Sequence, residues 1–187
     1  VVVHQRLSSA GDTPPTRMIS GAETSFWWPM SIAADLPSDE LYVLAEVKCS
    51  AGNRNRVLVF PRTADGGAMP TRWFYPAAPS SYTYPYAIAL DPTPGEIFVS
   101  DPYNNQVLVL PKGSDGGVPA LRSIMGAATG LSFPIHLAID PSANDLFVMS
   151  SSNYMLIVFD KGGSGNLSPT RSIDAGHRTH ARRAGLG

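Results

Sequence analysis

Apolar residues in this chain come in short runs separated by polar punctuation. Between Pro85 and Gly126 the runs are PYAIAL, GEIFVS, QVLVLP and ALRSIM, each rich in Val, Ile, Leu or aromatic residues. The boundaries are Asp91-Pro92, Asp101-Pro102, the turn Gly113-Ser114-Asp115-Gly116-Gly117, and Gly126. Apolar runs of this length, stopped by Gly, Pro, Asp and Asn, predict four consecutive strands joined by tight turns. Such a unit cannot bury both its faces alone and needs neighbours of its own kind.

The chain supplies them. VLVF at Val57–Phe60, VLVL at Val107–Leu110 and LIVF at Leu156–Phe159 mark the third strand, with VVVH at Val1–His4 as a further copy. The fourth strand recurs from Pro15, Pro70, Ala120 and Pro169, and keeps an arginine in register at Arg17, Arg72, Arg122 and Arg171. The first strand recurs as PMSIAAD, PYAIALD and PIHLAID, and the second as DELYVL, GEIFVS and NDLFVM. Four markers repeating in one order, about 40–50 residues apart, predict an all-β fold of β-propeller blades. The blades fall at 29–76, 85–126 and 134–175, after an N-terminal half-blade at 1–21 and before a basic tail at 176–187.

P-x-x-I-A-x-D followed by EIFVSDPYNNQVLVL resembles the NHL class of propeller repeat. The connection built from Val59–Arg62, Thr63-Ala64, Pro70-Thr71-Arg72 and Gly126–Ser132 is similar to its long bacterial form. The likeness runs to about Ala175. It departs at Ala45–Asn55, which reads as a longer insertion, and at Ser150-Ser151-Ser152-Asn153, where the Asp-Pro turn is missing. The resemblance implies the fold, a bacterial origin and an extracytoplasmic setting. It leaves function open, because such propellers serve as protein-binding, RNA-binding and occasionally catalytic domains.

Composition narrows the classes. Charged residues are 16% and hydrophobic residues 43% of the 187-residue chain, which is globular rather than disordered. A formal net charge of −1 favours no nucleic-acid surface. No apolar run approaches the length of a membrane helix, so no membrane partner is expected. The single cysteine, Cys49, cannot form an internal disulfide.

Few residues promise chemistry. His177 and His180 have a metal-competent spacing, but their Gly- and Arg-rich surroundings offer no further ligand. His136 aligns with Ser31 and Ala87 on the strand that lines a propeller's channel, which makes His136, with Ser31 beside it, a candidate ligand contact. The carboxylates Asp35, Asp91, Asp140, Glu40, Glu96 and Asp145 recur at turn positions, which reads as turn chemistry. The repeated arginines read as bonding or stacking on a blade flank. Trp27, Trp28, Tyr84 and Tyr86 precede or open the first strands and form a candidate recognition surface at the channel mouth. No metal or cofactor is expected.

The expected function is a non-enzymatic binding or scaffold propeller that takes a protein, peptide or carbohydrate at its mouth. The alternative from another class is a metal-dependent lyase or hydrolase using His136. A third reading is a truncated propeller fragment. Four outer and three inner hairpins fall short of a closed ring, which needs at least four complete blades. A fragment, an open arc or a ring of several copies would each account for that. A homodimer in which terminal blades cover one another is the expectation, since apolar blade flanks seldom stay solvated.

Overall fold

The computed structural model describes residues 1–4, 14–48, 54–77, 83–93, 95–174 and 176. Cys49, Tyr82, His177, His180 and the rest of the basic tail beyond Gly176 lie outside them.

Strands β1 (Val2–Val3) and β2 (Arg17–Met18) form a two-stranded antiparallel pair. The first complete blade consists of β3 (Trp28–Asp35), β4 (Glu40–Val47), β5 (Arg54–Pro61) and β6 (Arg72–Pro76). The second holds β7 (Ile88–Asp91), β8 (Glu96–Asp101) and β9 (Gln106–Pro111). The short β10 (Gly116–Val118) follows, and β11 (Arg122–Met125) completes the blade. The third holds β12 (Pro134–Asp140), β13 (Asp145–Ser150), β14 (Met155–Asp160) and β15 (Arg171–Asp174). Within each blade the strands pair antiparallel in sequence order, the meander that the four-run pattern predicts. Three short 3-10 turns are the only helical pieces among the described residues, and none is long and apolar enough to cross a membrane.

The turn between first and second strand shows why the repeat is written as it is. Asp39, Gly95 and Asn144 hold the same place there, at φ of 54°, 81° and 59°. Gly, Asn and Asp are the residues that enter this left-handed region at least cost.

Alternation then gives each sheet two apolar faces, and the core lies between sheets. Tyr42, Val59 and Phe74 of the first blade pack against Ile97, Val99 and Leu110 of the second. Phe98, Val109 and Ile124 of the second meet Leu146, Val148 and Phe159 of the third in the same way. Ile19 of the half-blade packs on Leu41, Val43 and Phe60 of the first. We call the side of a blade that faces the next blade in sequence its trailing flank, and the opposite side its leading flank.

Two expectations need correction. The stretch Gly113–Gly117, read as a plain turn, contributes Gly116 and Gly117 to β10, which pairs in parallel with Phe74–Pro76 of the preceding blade. Ile19↔Gly66 and Ile124↔Gly165 are single bridges at the same place. The outer hairpin therefore latches onto the neighbouring blade, a long-range pairing that a local turn reading cannot see. The expected insertion at Ala45–Asn55 is partly a longer hairpin, with Ala45↔Arg56, Glu46↔Asn55 and Val47↔Arg54 in register.

Candidate functional site

The innermost strands all start at one end of the molecule and all finish at the other, so the structure has two rims. The finishing rim is ionic. Asp35 ends β3 and is buried, as Asp91 is at the end of β7. Lys112 reaches back from the second blade to Asp35, and Lys161 from the third to Asp91. Glu40 pairs with Arg72, and Glu96 with Arg122, in two parallel hydrogen bonds each. Arg171 pairs with Asp145. Burial opposes the charge on Asp35, yet the bonds from Lys112 and Ser38 hold its carboxyl below the usual range. Glu40 is lowered by the Arg72 guanidinium, with Tyr42 donating a second bond at 2.7 Å. The turn reading of these carboxylates is thus incomplete: long side chains from other strands or blades bind five of the six, while Asp91 also accepts the Thr93 N–H at 3.2 Å and Asp35 the backbone of Ser38. Asp140 does behave as a turn residue, accepting from the backbone of Ser142 at 2.9 Å and Ala143 at 3.2 Å. The arginine expectation of flank bonding agrees with this lattice.

The starting rim is aromatic. Trp28, Tyr84 and Phe133 each stand just before the proline that opens or precedes an innermost strand. Tyr103, in the 3-10 turn Pro102–Asn104, stands between Tyr84 and Phe133. Its ring centroid is 5.5 Å from Tyr84 and 5.6 Å from Phe133, both edge to face. Trp27 and Trp28 are exposed, and the Lys48 ammonium lies 3.4 Å from the Trp27 ring centroid, a cation–π contact. Tyr86 is exposed on the same rim.

Buried polar groups hold this row. Asp101 is fully buried and accepts bonds from Asn104 Nδ2 at 2.7 Å and Gln106 Nε2 at 2.9 Å. Its other oxygen takes the Tyr84 backbone N–H at 3.3 Å. Asn105 accepts from the Phe133 N–H at 2.8 Å, which steers Phe133 into a left-handed conformation at φ 57°. Asn55 donates to the Pro85 carbonyl at 2.6 Å and ties the first blade to the second. Sequence reasoning named Trp27, Trp28, Tyr84 and Tyr86 but missed Tyr103, Phe133, Asp101 and Asn55. The aromatic residue before each first-strand proline was the available signal for Phe133.

The other candidates stand elsewhere. Ser31 Oγ accepts the Ile88 N–H at 3.1 Å, so this hydroxyl serves the seam between two inner strands rather than an open channel wall. Ala87 is buried. His136 holds the same position on the third blade and is exposed on its trailing flank. Among the described residues no three His, Cys, Asp or Glu side chains gather as metal ligands, so His136 has no companions for the lyase alternative.

No protein-family model and no curated protein matches the sequence. Solved structures do. A structure of a nidogen/laminin complex aligns with TM-score 0.54 and 12% identity, over 80% of this chain and 48% of that one. U3-55K aligns with TM-score 0.57 and 13% identity, over 87% and 42%. Hydrazine synthase of Kuenenia stuttgartiensis aligns with TM-score 0.52 and 17% identity, over 80% and 36%. The chain spans less than half the length of each, and at these identities the likeness shows the fold alone: an all-β arrangement of propeller blades.

Proposed function

We propose that this chain is a non-enzymatic binding scaffold of NHL-type repeats, whose aromatic rim takes an extended peptide or protein segment. The observation that supports this most is the row Tyr84–Tyr103–Phe133, continued on the same rim by exposed Trp27 and Trp28. Aromatic side chains held by buried polar groups give contact area at little entropic cost, which suits recognition. Edge-to-face rings make ridges and slots rather than a flat platform. Slots of this kind suit proline and other compact side chains of an extended peptide better than a sugar ring, which stacks on an open face. Lys48 already covers one face of Trp27.

The test is a titration of intrinsic tryptophan fluorescence with a panel of proline-rich peptides and a panel of oligosaccharides. The expected result is saturable quenching by peptides, with the same binding, read by calorimetric titration, lost in a Trp28→Ala variant that melts like the parent. A response to oligosaccharides alone would move the ligand to carbohydrate. Silence in both panels overturns the reading.

A further inference from the structure

The two joints between complete blades carry the same ion pairs at the finishing rim but not the same hydroxyls. Tyr42 and Phe98 hold one position on the second strands, and both are fully buried. Each ring lies beside the arginine of its own blade: the Arg72 guanidinium is 5.8 Å from the Tyr42 centroid, and that of Arg122 is 5.6 Å from the Phe98 centroid. At the first joint the Tyr42 hydroxyl donates to Glu40 at 2.7 Å and accepts from Arg72 at 3.0 Å. Lys112 there holds Asp35 and also donates to Ser38 Oγ at 2.9 Å. At the second joint Phe98 brings no hydroxyl, and the residue that follows in the place of Ser38 is Pro94. Among the described residues, the Glu96 carboxylate is left with Arg122 alone and the Lys161 ammonium with Asp91 alone.

A cleft of about 280 Å³ opens on these groups, lined by Asp91, Glu96, Arg122, Asn144, Lys161 and Gly162. It has room for several waters or for one small molecule. Its walls are fixed: the Asp91 side chain is fully buried, and those of Glu96, Arg122 and Lys161 are at most 19% exposed. A site held in this way loses little freedom when it is filled.

Charge selects the occupant. Two carboxylates and two cations line the cleft, and Asp160 is close enough to act on Arg122 through its charge. An anion would meet Asp91 and Glu96, and a cation would meet Lys161 and Arg122. Either would have to break an ion pair to gain a partner. A neutral hydroxyl avoids both costs, because it donates and accepts at once. One hydroxyl can donate to Glu96, as Tyr42 does to Glu40, and another can accept from Lys161, as Ser38 does from Lys112.

We propose that the cleft between Glu96 and Lys161 binds a small neutral polyol, a sugar or a sugar alcohol, whose hydroxyls take the parts that Tyr42 and Ser38 play at the first joint. The lining comes from the second and third blades alone. The cleft lies on the rim opposite the aromatic row, so this inference does not depend on the peptide reading.

The test follows the backbone amide NMR signals of the isotope-labelled full chain during titration with glycerol, glucose and myo-inositol, and separately with sodium phosphate and methylammonium. Asn144, Lys161 and Gly162 report the cleft; Tyr103 and Phe133 report the opposite rim. The expected result is a saturable shift of the cleft signals with at least one polyol and with neither ion. Phe98→Tyr restores the hydroxyl of the first joint. Gly162→Thr narrows the cleft with the residue that the first blade carries at this place, Thr63. Each should weaken polyol binding about tenfold, the equivalent of one lost hydrogen bond. Thermal melts identify the folded variants, and either one is sufficient. A parent without a saturable cleft shift overturns the proposal, since the cleft then holds water only. So does an equal response to phosphate or methylammonium, a polyol shift confined to Tyr103 and Phe133, or undiminished binding in a folded variant.

Discussion

The two rims are built on the same strands and differ in what their side chains still have to offer. At the ionic rim Asp35, Glu40, Asp91, Glu96 and Asp145 are each bound by a lysine or arginine, and four of these pairs have both side chains largely shielded from water. At the aromatic rim the polar groups are buried beneath the rings, and the rings keep open surface. Trp28 is 65% exposed there. A rim whose charges are spent on each other orders the blades; a rim that hides its polar groups and shows its rings is free to meet a partner. The difference teaches where stability and recognition should separate under mutation.

The largest expected effect is on the ionic side. Lys112→Met leaves Asp35 buried without its cation, while Asp35 Oδ1 already has no hydrogen-bond partner. Stranding one member of a buried pair should cost about 3 kcal/mol, read as a lower midpoint in urea denaturation. Replacing both members, Asp35→Leu with Lys112→Met, should recover most of that loss, because apolar side chains of similar volume need no counter-charge. A single variant as stable as the parent would mean that the ion lattice does not hold the blades, and the contrast between the rims would fail.

Much of this was legible in the sequence, and the reason is periodic burial. The strand order follows from apolar runs and turn residues, which are local. The blades follow from repetition, since Ile, Val and Leu recur wherever one sheet covers another. What escaped is non-local. The carboxylates Glu40 and Glu96 sit at turn positions in sequence, but Arg72 and Arg122, on the fourth strand of the same sheet, claim them. β10 forms only because the preceding blade offers Phe74–Pro76 as an edge. Tyr103 joins the rim because a turn in one blade abuts the entrance to the next. Ser31 looked like a channel residue until its hydroxyl met the Ile88 N–H of another blade. A repeat read within itself gives its strands; the joints need the neighbour.

A smaller effect follows from titration of the same rim. Asp35 and Glu40 are held below their ordinary values, so the stability they contribute is present above about pH 4 and is lost as pH falls through their lowered folded values. Tyr42 is pushed the other way, by burial first and by Glu40 second. Its contribution is present below about pH 10, the ordinary tyrosine value, and fades as pH rises toward its higher folded value. Thermal melts should therefore give a plateau at neutral pH with a fall on each side. Tyr42→Phe should remove this tyrosine's share of the alkaline fall and, by taking its bond away from Glu40, shrink the acid fall in part while leaving the share of Asp35 in place. A Tyr42→Phe profile that still falls equally at high pH would assign that arm to other groups.

The smallest stability effect belongs to the aromatic rim, and that smallness is the sharper half of the comparison. Trp28→Ala removes a ring that is mostly in water, so the stability read from the melt should change by no more than about 0.5 kcal/mol. Tyr103→Ala breaks two edge-to-face contacts and should cost about 1–2 kcal/mol, less than Lys112→Met. Both should weaken peptide binding by far more than they weaken the fold, whereas Arg122→Gln at the opposite rim should lower stability and leave affinity for any peptide that binds unchanged. If Trp28→Ala instead destabilised the chain as much as Lys112→Met, the exposed rings would be structural and the rim would lose its claim to recognition.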